Sequence, residues 1–332
     1  MIATLLLAML APPVPAQELE TFLRDRMGYS DSDLSRIERG GVVTRKLERA
    51  TDKEVALVGV VRIPGSQERF LERFRNIESF MRSEELTRIG RFGIPPAPED
   101  LAALPLLDDD YGAMRDCRSG NCDVKLSAAR IAELRAMDWS APDHRERLAE
   151  VARGWLSDYV RGYLENGNQA LVVYDDRDEP QSLGEGFSAL LEQSPYVFEY
   201  LPELHHYLED YPRTELPGSE DLLFWAVEDF GLKPLTTVSH ATIYRGAQGT
   251  APQTTVALKQ IYASHYFHAA LKLMTLVDTD VDSAEGFYLV YLDRSLFDAK
   301  IGGLRRRLVE GRLEDNLRSR LESIRRQVAE PG

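Results

Sequence analysis

Residues 54–80 read EVALVGVVRIPGSQERFLERFRNIESF, and this stretch decides the fold. Its first ten residues are dense in β-branched side chains, which is typical of a buried strand. The Pro-Gly-Ser sequence at 64–66 predicts a turn, and its serine can cap a helix that starts at Gln67. Phe70 and Phe74 lie one helical turn apart, so the helix is expected to bury one aromatic face.

Strand patterns return near the C-terminus. Residues 235–244 and 256–277 flank a Gly/Gln/Pro-rich loop at 246–253, which predicts a hairpin. The second run is too long for one ordinary strand, so a bend or a bulge is expected within it. Residues 287–292 predict another strand, and 304–328 predict a long charged helix with one apolar stripe, formed by Leu308, Leu313, Leu317, Leu321 and Ile324.

The middle of the chain has a different character. From about 95 to 231, proline clusters separate helical patterns, and residues 170–174 are the one candidate strand. The longest predicted helix covers 143–165, with Trp155 and Tyr159 on one face. Shorter helices are predicted at 187–191, 202–210 and 220–230, and an N-terminal helix at 19–40.

Residues 54–80 and the C-terminal strands with their long helix together resemble the START-like helix-grip superfamily of hydrophobic-ligand-binding proteins. In that family the sheet grips the long helix, and the ligand lies between them. The resemblance implies a cavity but no catalytic residue. The helical section departs from the family pattern, so helices are expected either to roof the cavity or to fill it. We therefore predict an α+β fold: one START-like domain over 17–332, with an antiparallel sheet and a helical insertion at about 95–231.

The chain opens with a predicted signal peptide at residues 1–16, MIATLLLAMLAPPVPA. The apolar run at 2–10 is followed by Val14-Pro15-Ala16, which fits the small-x-small cleavage rule and puts the mature start near Gln17. The alternative is a buried N-terminal helix. The run is shorter than a membrane span, and no other segment is long enough for a transmembrane segment. We expect an exported protein, periplasmic or secreted.

Two cysteines, Cys117 and Cys122, flank the turn-forming residues Arg-Ser-Gly-Asn. In an exported protein such a pair predicts a structural disulfide. A redox pair usually has two intervening residues, and a zinc site needs further ligands that this neighbourhood does not supply.

The composition argues against nucleic-acid binding, and the sequence motifs do not identify a function. A net charge of −14, spread along the chain, makes nucleic acid an unsuitable partner and favours solubility. The sequence contains no His-Glu-x-x-His, Gly-x-Ser-x-Gly or Gly-rich phosphate loop, so no cofactor is predicted. Glu203 and His206 have the Glu-x-x-His spacing of di-iron bundles, but the motif occurs once, and no metal site is predicted from it.

The most unusual stretch is KQIYASHYFHAAL at 259–271. Read as one strand, it puts His265 and His268 on opposite faces, so they are not expected to share a metal. His240 is expected opposite Lys259 on the neighbouring strand. The predicted ligand-binding residues supply aromatic walls and polar groups for a ligand head: Tyr262, Tyr266, Phe267, His265, Lys259 and His240. The alternative is a set of polar residues that only join sheet and helix, or an exposed His240–Lys259 pair.

These observations favour a protein that binds a hydrophobic or amphipathic, lipid-like small molecule. Two other classes remain open. One is a scaffold that binds a partner protein of the cell envelope through the helical insertion. The other is an enzyme with His240 or His265 as general acid–base, which is less expected because no partner nucleophile is visible.

Overall fold

The computed structural model describes residues 14–230, 233–248, 251–279 and 286–330. The fold is α+β, as predicted. In the described chain the strands are β1 (Val43–Lys46), β2 (Glu54–Ile63), β3 (Leu86–Arg91), β4 (Val173–Tyr174), β5 (Gln181–Ser182), β6 (Glu220–Glu228), β7 (Leu235–Gln248), β8 (Ala251–Ala263), β9 (Phe267–Asp278) and β10 (Phe287–Phe297). The helices are α1 (Val14–Asp25), α2 (Asp31–Glu38), α3 (Gln67–Arg75), α4 (Ile77–Phe80), α5 (Asp108–Asp116), α6 (Ala128–Ala136), α7 (His144–Asn166), α8 (Leu183–Glu192), α9 (Pro195–Tyr200), α10 (Pro202–Asp210) and α11 (Gly303–Ala329).

Eight strands form one antiparallel sheet in the order β1-β2-β10-β9-β8-β7-β6-β3, and β4 pairs with β5 separately. β2 lies beside β10 along its whole length, from Glu54 opposite Leu296 to Ile63 opposite Phe287. The early strand and the last strand therefore pair across the helical insertion.

The stretch that decides the fold behaves as expected. β2 is buried on both faces because both layers of the protein cover it. Ser66 Oγ accepts a hydrogen bond of 3.2 Å from the backbone N–H of Arg69, which caps α3. Phe70 and Phe74 are buried against the sheet.

α11 and α3 cover one face of the sheet through a layer of packed apolar side chains, among them Leu317, Leu321 and Ile324. The backbone of Gly59 in β2 approaches α11 so closely that an added Cβ would lie 2.4 Å from Leu321 Cδ1. Leu308 is 60% exposed and does not join this layer, contrary to the prediction. Nine residues separate it from Leu317, which places the two half a turn apart on an α-helix.

The charged helix α11 also holds one buried cation. The guanidinium of Arg306 donates to the carbonyls of Ile301 at 2.7 Å and Glu54 at 3.1 Å and pairs with Glu310 at 2.9 Å. Arg306 thus supplies a donor to two backbone carbonyls, one just before α11 and one at the start of β2.

The helical insertion and the N-terminal helices cover the other face of the sheet. Two predictions within these parts were wrong. Residues 220–230 were predicted as helix, but 220–228 form β6, because LLFWAV is apolar on both faces and is paired by β7 and β3. Residues 19–40 form two helices, since Gly28 adopts φ +70° and Ser30 starts α2 with a capping box.

The long apolar run at 256–277 is two strands rather than one bent strand. β8 ends at Ala263, the chain reverses through residues 264–266, and β9 begins at Phe267. Tyr266 takes φ +60°, which makes the reversal possible. The predicted hairpin is present between β7 and β8, although its ladder extends into the predicted loop, with Gly246 opposite Gln253.

The predicted signal peptide lies largely outside the described residues. The apolar run at 2–10 is among residues 1–13, and Val14-Pro15-Ala16 are the first residues of α1. Export and cleavage near Ala16 stay predictions.

Candidate functional site

The insertion face of the sheet contains a cavity of about 760 Å³, which we call the α7 cavity. Helices α5, α6 and α7 and residues 170–175 form its walls, and residues 104–106 close one side. Thr236 of β7, Tyr262 of β8 and Ser264, which follows β8, line it on the side of the sheet, and Thr236 and Ser264 are buried. Its volume is in the range that small-molecule sites of proteins occupy.

Short side chains on two facing helices create this space. Ala128 and Ala129 of α6 and Ala149 and Ala152 of α7 line the α7 cavity. A methyl group fills far less volume than the leucines that usually separate packed helices. The sequence therefore leaves room between α6 and α7 where a typical helix pair would be filled.

One wall is aromatic. Trp155, Tyr159 and Tyr262 line the α7 cavity, and the Tyr159 and Tyr262 rings meet edge to face with centroids 6.4 Å apart. Tyr159 Oη donates to the carbonyl of Ile261 at 2.5 Å, and Tyr262 Oη donates to that of Lys125 at 3.3 Å. Burial raises the pKa of both phenols. Both rings are thus held in place and neutral, as a wall for apolar ligand surface requires.

Polar groups also line the α7 cavity. Asp110 lines it, and its Oδ1 lies 2.6 Å from Nε2 of His265 in the β8–β9 reversal. Both side chains are buried, so the pair forms a hydrogen bond that is shielded from bulk water. Ser264 Oγ accepts from the backbone N–H of Thr236 at 2.9 Å, which leaves the hydroxyl hydrogen available as a donor.

One cation on the wall has no counter-charge. Arg153 of α7 lines the α7 cavity; its Nε is buried without a hydrogen-bond partner, and one terminal nitrogen reaches only the carbonyl of Leu104 at 3.5 Å. The other arginine on the wall, Arg130, pairs with Glu133 at 2.9 Å. No carboxylate of the described residues lies within 4 Å of the Arg153 guanidinium.

The structure places the predicted ligand residues in three different environments. Tyr262 lines the α7 cavity, and His265 stands behind it through Asp110. Tyr266 and Phe267 pack against the opposite layer, where Phe267 meets Phe297 at 4.8 Å between ring centroids. The reversal at 264–266 breaks the strand alternation on which the common pocket was predicted.

His240 lies opposite Lys259, as predicted, but in the core rather than on the surface. Its Nδ1 lies 2.9 Å from Tyr163 Oη and its Nε2 2.9 Å from Asp221 Oδ1. Burial alone would raise the pKa of Asp221, yet the hydrogen bonds from His240, Tyr207 and Thr242 bring it below its usual value. Both nitrogens of His240 are engaged in this network, which fixes the position of β6 against β7.

Lys259 is fully buried beside the same network. Its Nζ bonds to Asn168 Oδ1 and lies 4.1 Å from the centroid of the Phe187 ring and 5.5 Å from that of Tyr163. No carboxylate of the described chain is within 4 Å of this ammonium group, and desolvation lowers its pKa to about 7. Neither His240 nor Lys259 borders the α7 cavity.

Cys117 and Cys122 are at disulfide distance, with sulfurs 1.99 Å apart, as predicted. The bridge follows α5 directly, and the Cys122 N–H donates to the carbonyl of Asp176 at 3.0 Å. It therefore fixes the end of the helix that carries Asp110 into the α7 cavity.

The sequence pattern missed most residues of this site. Trp155 and Tyr159 were correctly placed on one face of the long helix, but nothing distinguished that face from ordinary core. Arg153 and Asp110 carried no signal, since single charged residues on exposed helices look the same. The sequence feature that could have indicated space between the helices is the set of small side chains at Ala128, Ala129, Ala149 and Ala152.

Comparison of the chain with protein-family models, with curated proteins and with solved structures finds no match in any of the three. Among the described helices, none has both the length and the apolar character that a membrane crossing requires.

Proposed function

We propose that the protein binds an amphipathic small molecule, lipid-like and with an anionic head group, in the α7 cavity. The observation that carries this proposal is a cavity of about 760 Å³ with an aromatic and alanine-rich lining and one unpaired arginine on its wall. Removal of apolar ligand surface from water supplies the affinity, at roughly 25 cal/mol per Å².

The head group follows from Arg153. A buried guanidinium nitrogen without an acceptor costs free energy, and a ligand carboxylate or phosphate would supply that acceptor. Charge-assisted hydrogen bonds of this kind contribute roughly 1.5–3 kcal/mol. In the same cavity, Ser264 and Asp110 offer a hydroxyl and a carboxylate to a second polar group of the ligand.

The architecture agrees with the START-like resemblance, but the ligand position that we propose differs from that of the family. The pairing of β2 with β10 and the packing of α11 on the sheet support a helix-grip arrangement. The layer between sheet and α11, where that family holds its ligand, is occupied here by packed side chains such as Leu321 and Phe287. We therefore place the ligand on the opposite face, under the insertion.

The presence of a cavity also favours binding over a scaffold role. A scaffold would need a continuous exposed apolar patch on residues 140–230. The large apolar side chains exposed there are scattered along the chain: Val151, Val173, Phe198 and Tyr200.

A fluorescent fatty acid and its methyl ester test this proposal. We expect the full chain to bind the acid with saturation, and Ala152→Phe to abolish binding by filling the space. Ala132→Phe is the matched control, because Ala132 is exposed on α6 and does not line the cavity. Arg153→Gln should weaken binding of the acid by roughly tenfold or more and leave binding of the ester unchanged. Equal binding of the acid to the wild type and to Ala152→Phe would refute the site.

A further inference from the structure

The chain has six histidines, and within the described residues no ring hydrogen bond is found for two of them. In the described structure four make ring hydrogen bonds: His144 with Tyr111 and a carbonyl, His240 with Tyr163 and Asp221, His265 with Asp110, and His268 with a carbonyl. His205 Nδ1 is buried with no hydrogen-bond partner, and no ring hydrogen bond is found for His206 within the described residues. These two residues are adjacent on α10.

A carboxylate completes the group. Glu209 lies one turn after His205, and donor atoms of His205, His206 and Glu209 all lie within 4.8 Å of one another. His205 Nδ1 is 3.8 Å from Glu209 Oε2, too long for a hydrogen bond. Three possible metal-ligand atoms thus lie close together, and none of the three side chains forms a hydrogen bond with another within the described residues.

Phe198 fixes the two imidazoles from the side. Its ring meets His205 edge-on at 5.3 Å and His206 at 6.0 Å, and the two imidazoles are perpendicular with centroids 5.7 Å apart. This packing limits the rotamers of both rings and reduces the entropy that ligation would cost.

We propose that His205, His206 and Glu209 form a binding site for a divalent transition metal of the Zn²⁺ class. Two imidazoles and one carboxylate are ligands that Zn²⁺ accepts, with metal–donor distances of about 2.0–2.2 Å. Donors around such an ion are roughly 3.3 Å apart, so small rotations of the exposed His206 and Glu209 side chains would complete the geometry. Three protein ligands leave a coordination position open for water.

The surroundings suit a cation. Glu209 also lines a polar cleft of about 490 Å³ together with Glu185 and Glu192, and the chain carries a net charge of −14. The Glu-x-x-His spacing does not supply a ligand pair here, because Glu203 Oε2 instead accepts from Tyr244 Oη at 3.3 Å.

Titration of the metal-stripped full chain with Zn²⁺ by calorimetry, and with Co²⁺ by visible absorption, tests this site. We expect saturable binding of one metal ion per chain, and bound Co²⁺ should show the strong visible absorption of an ion with few ligands. His206→Ala and Glu209→Gln should each weaken binding by roughly tenfold or more. Glu203→Gln on the same helix is the matched control and should bind as the wild type does.

The substituted side chains are exposed, so thermal denaturation of both variants in EDTA should match that of the wild type and show that they fold. The proposal is overturned if the wild type shows no saturable one-to-one binding. It is also overturned if folded His206→Ala and Glu209→Gln bind the metal as tightly as Glu203→Gln does.

Discussion

Replacement of Lys259 by methionine should make the stability of the protein less dependent on pH above neutrality. Lys259 is fully buried, its nearest polar partner is the neutral amide of Asn168, and desolvation lowers its pKa from 10.5 to about 7. Between these two values the unfolded lysine carries a proton that the folded lysine has lost. The free energy of unfolding of the wild type therefore rises with pH over this window.

The size of the effect follows from the shift. A difference of 3.5 between the two pKa values corresponds to about 5 kcal/mol when fully expressed, at about 1.36 kcal/mol per unit. Between pH 6 and 9 the wild type should gain about 2.5 kcal/mol relative to Lys259→Met. Loss of the hydrogen bond between the neutral amine and Asn168 lowers the stability of the variant by an amount that does not depend on pH, because the pH-dependent part of this interaction is already contained in the pKa shift.

Denaturant unfolding of both proteins at several pH values measures the difference directly, since other titrating groups cancel. Lys272→Met is the control. Desolvation would lower the pKa of Lys272, but Asp293 at 3.2 Å raises it, so this lysine stays charged in both states over the window. If the difference in free energy of unfolding between the wild type and Lys259→Met stays constant from pH 6 to 9, the assignment of a neutral, buried amine is refuted.

Two further predictions concern the packing of the fold. Gly59→Ala should lower the free energy of unfolding by roughly 1–3 kcal/mol, because the new methyl group collides with Leu321. In a double-mutant cycle, adding Leu321→Ala should recover part of that loss, and strictly additive effects of the two substitutions would contradict the proposed contact. Replacement of both Cys117 and Cys122 by alanine should lower the free energy of unfolding by about 2 kcal/mol, and reduction of the wild type should do the same. Equal stability of the oxidised wild type and the variant would show that the bridge does not constrain the chain.

The parts of the fold that sequence predicted are those where local and tertiary preferences agree. The strand at 54–63, the helix start at Gln67 and the helix at 202–210 lie at or within one residue of the predicted bounds, because β-branched density, a serine cap and prolines mark them. β6 was mistaken for a helix because a short apolar run fits either structure, and only pairing with β7 and β3 decides between them.

The site was less predictable for a related reason. Tyr262 was identified because it lies in an unusual polar and aromatic stretch, whereas Phe267 in the same stretch, also predicted as a ligand residue, packs in the layer on the opposite side of the sheet. A reversal at three residues changes every side-chain direction after it, and Tyr266 carries no sequence signal for φ +60°. The α7 cavity itself depends on how α6 and α7 lie side by side, which periodicity within one helix does not report.

The most direct test of the central claim is native mass spectrometry of the full chain, purified without detergent and then mixed with a long-chain fatty acid. The wild type and Ala132→Phe should each carry one bound acid or a co-purified species of similar size, and Ala152→Phe should carry none. The claim would be contradicted if the wild type carried no ligand, or if Ala152→Phe carried as much as the wild type.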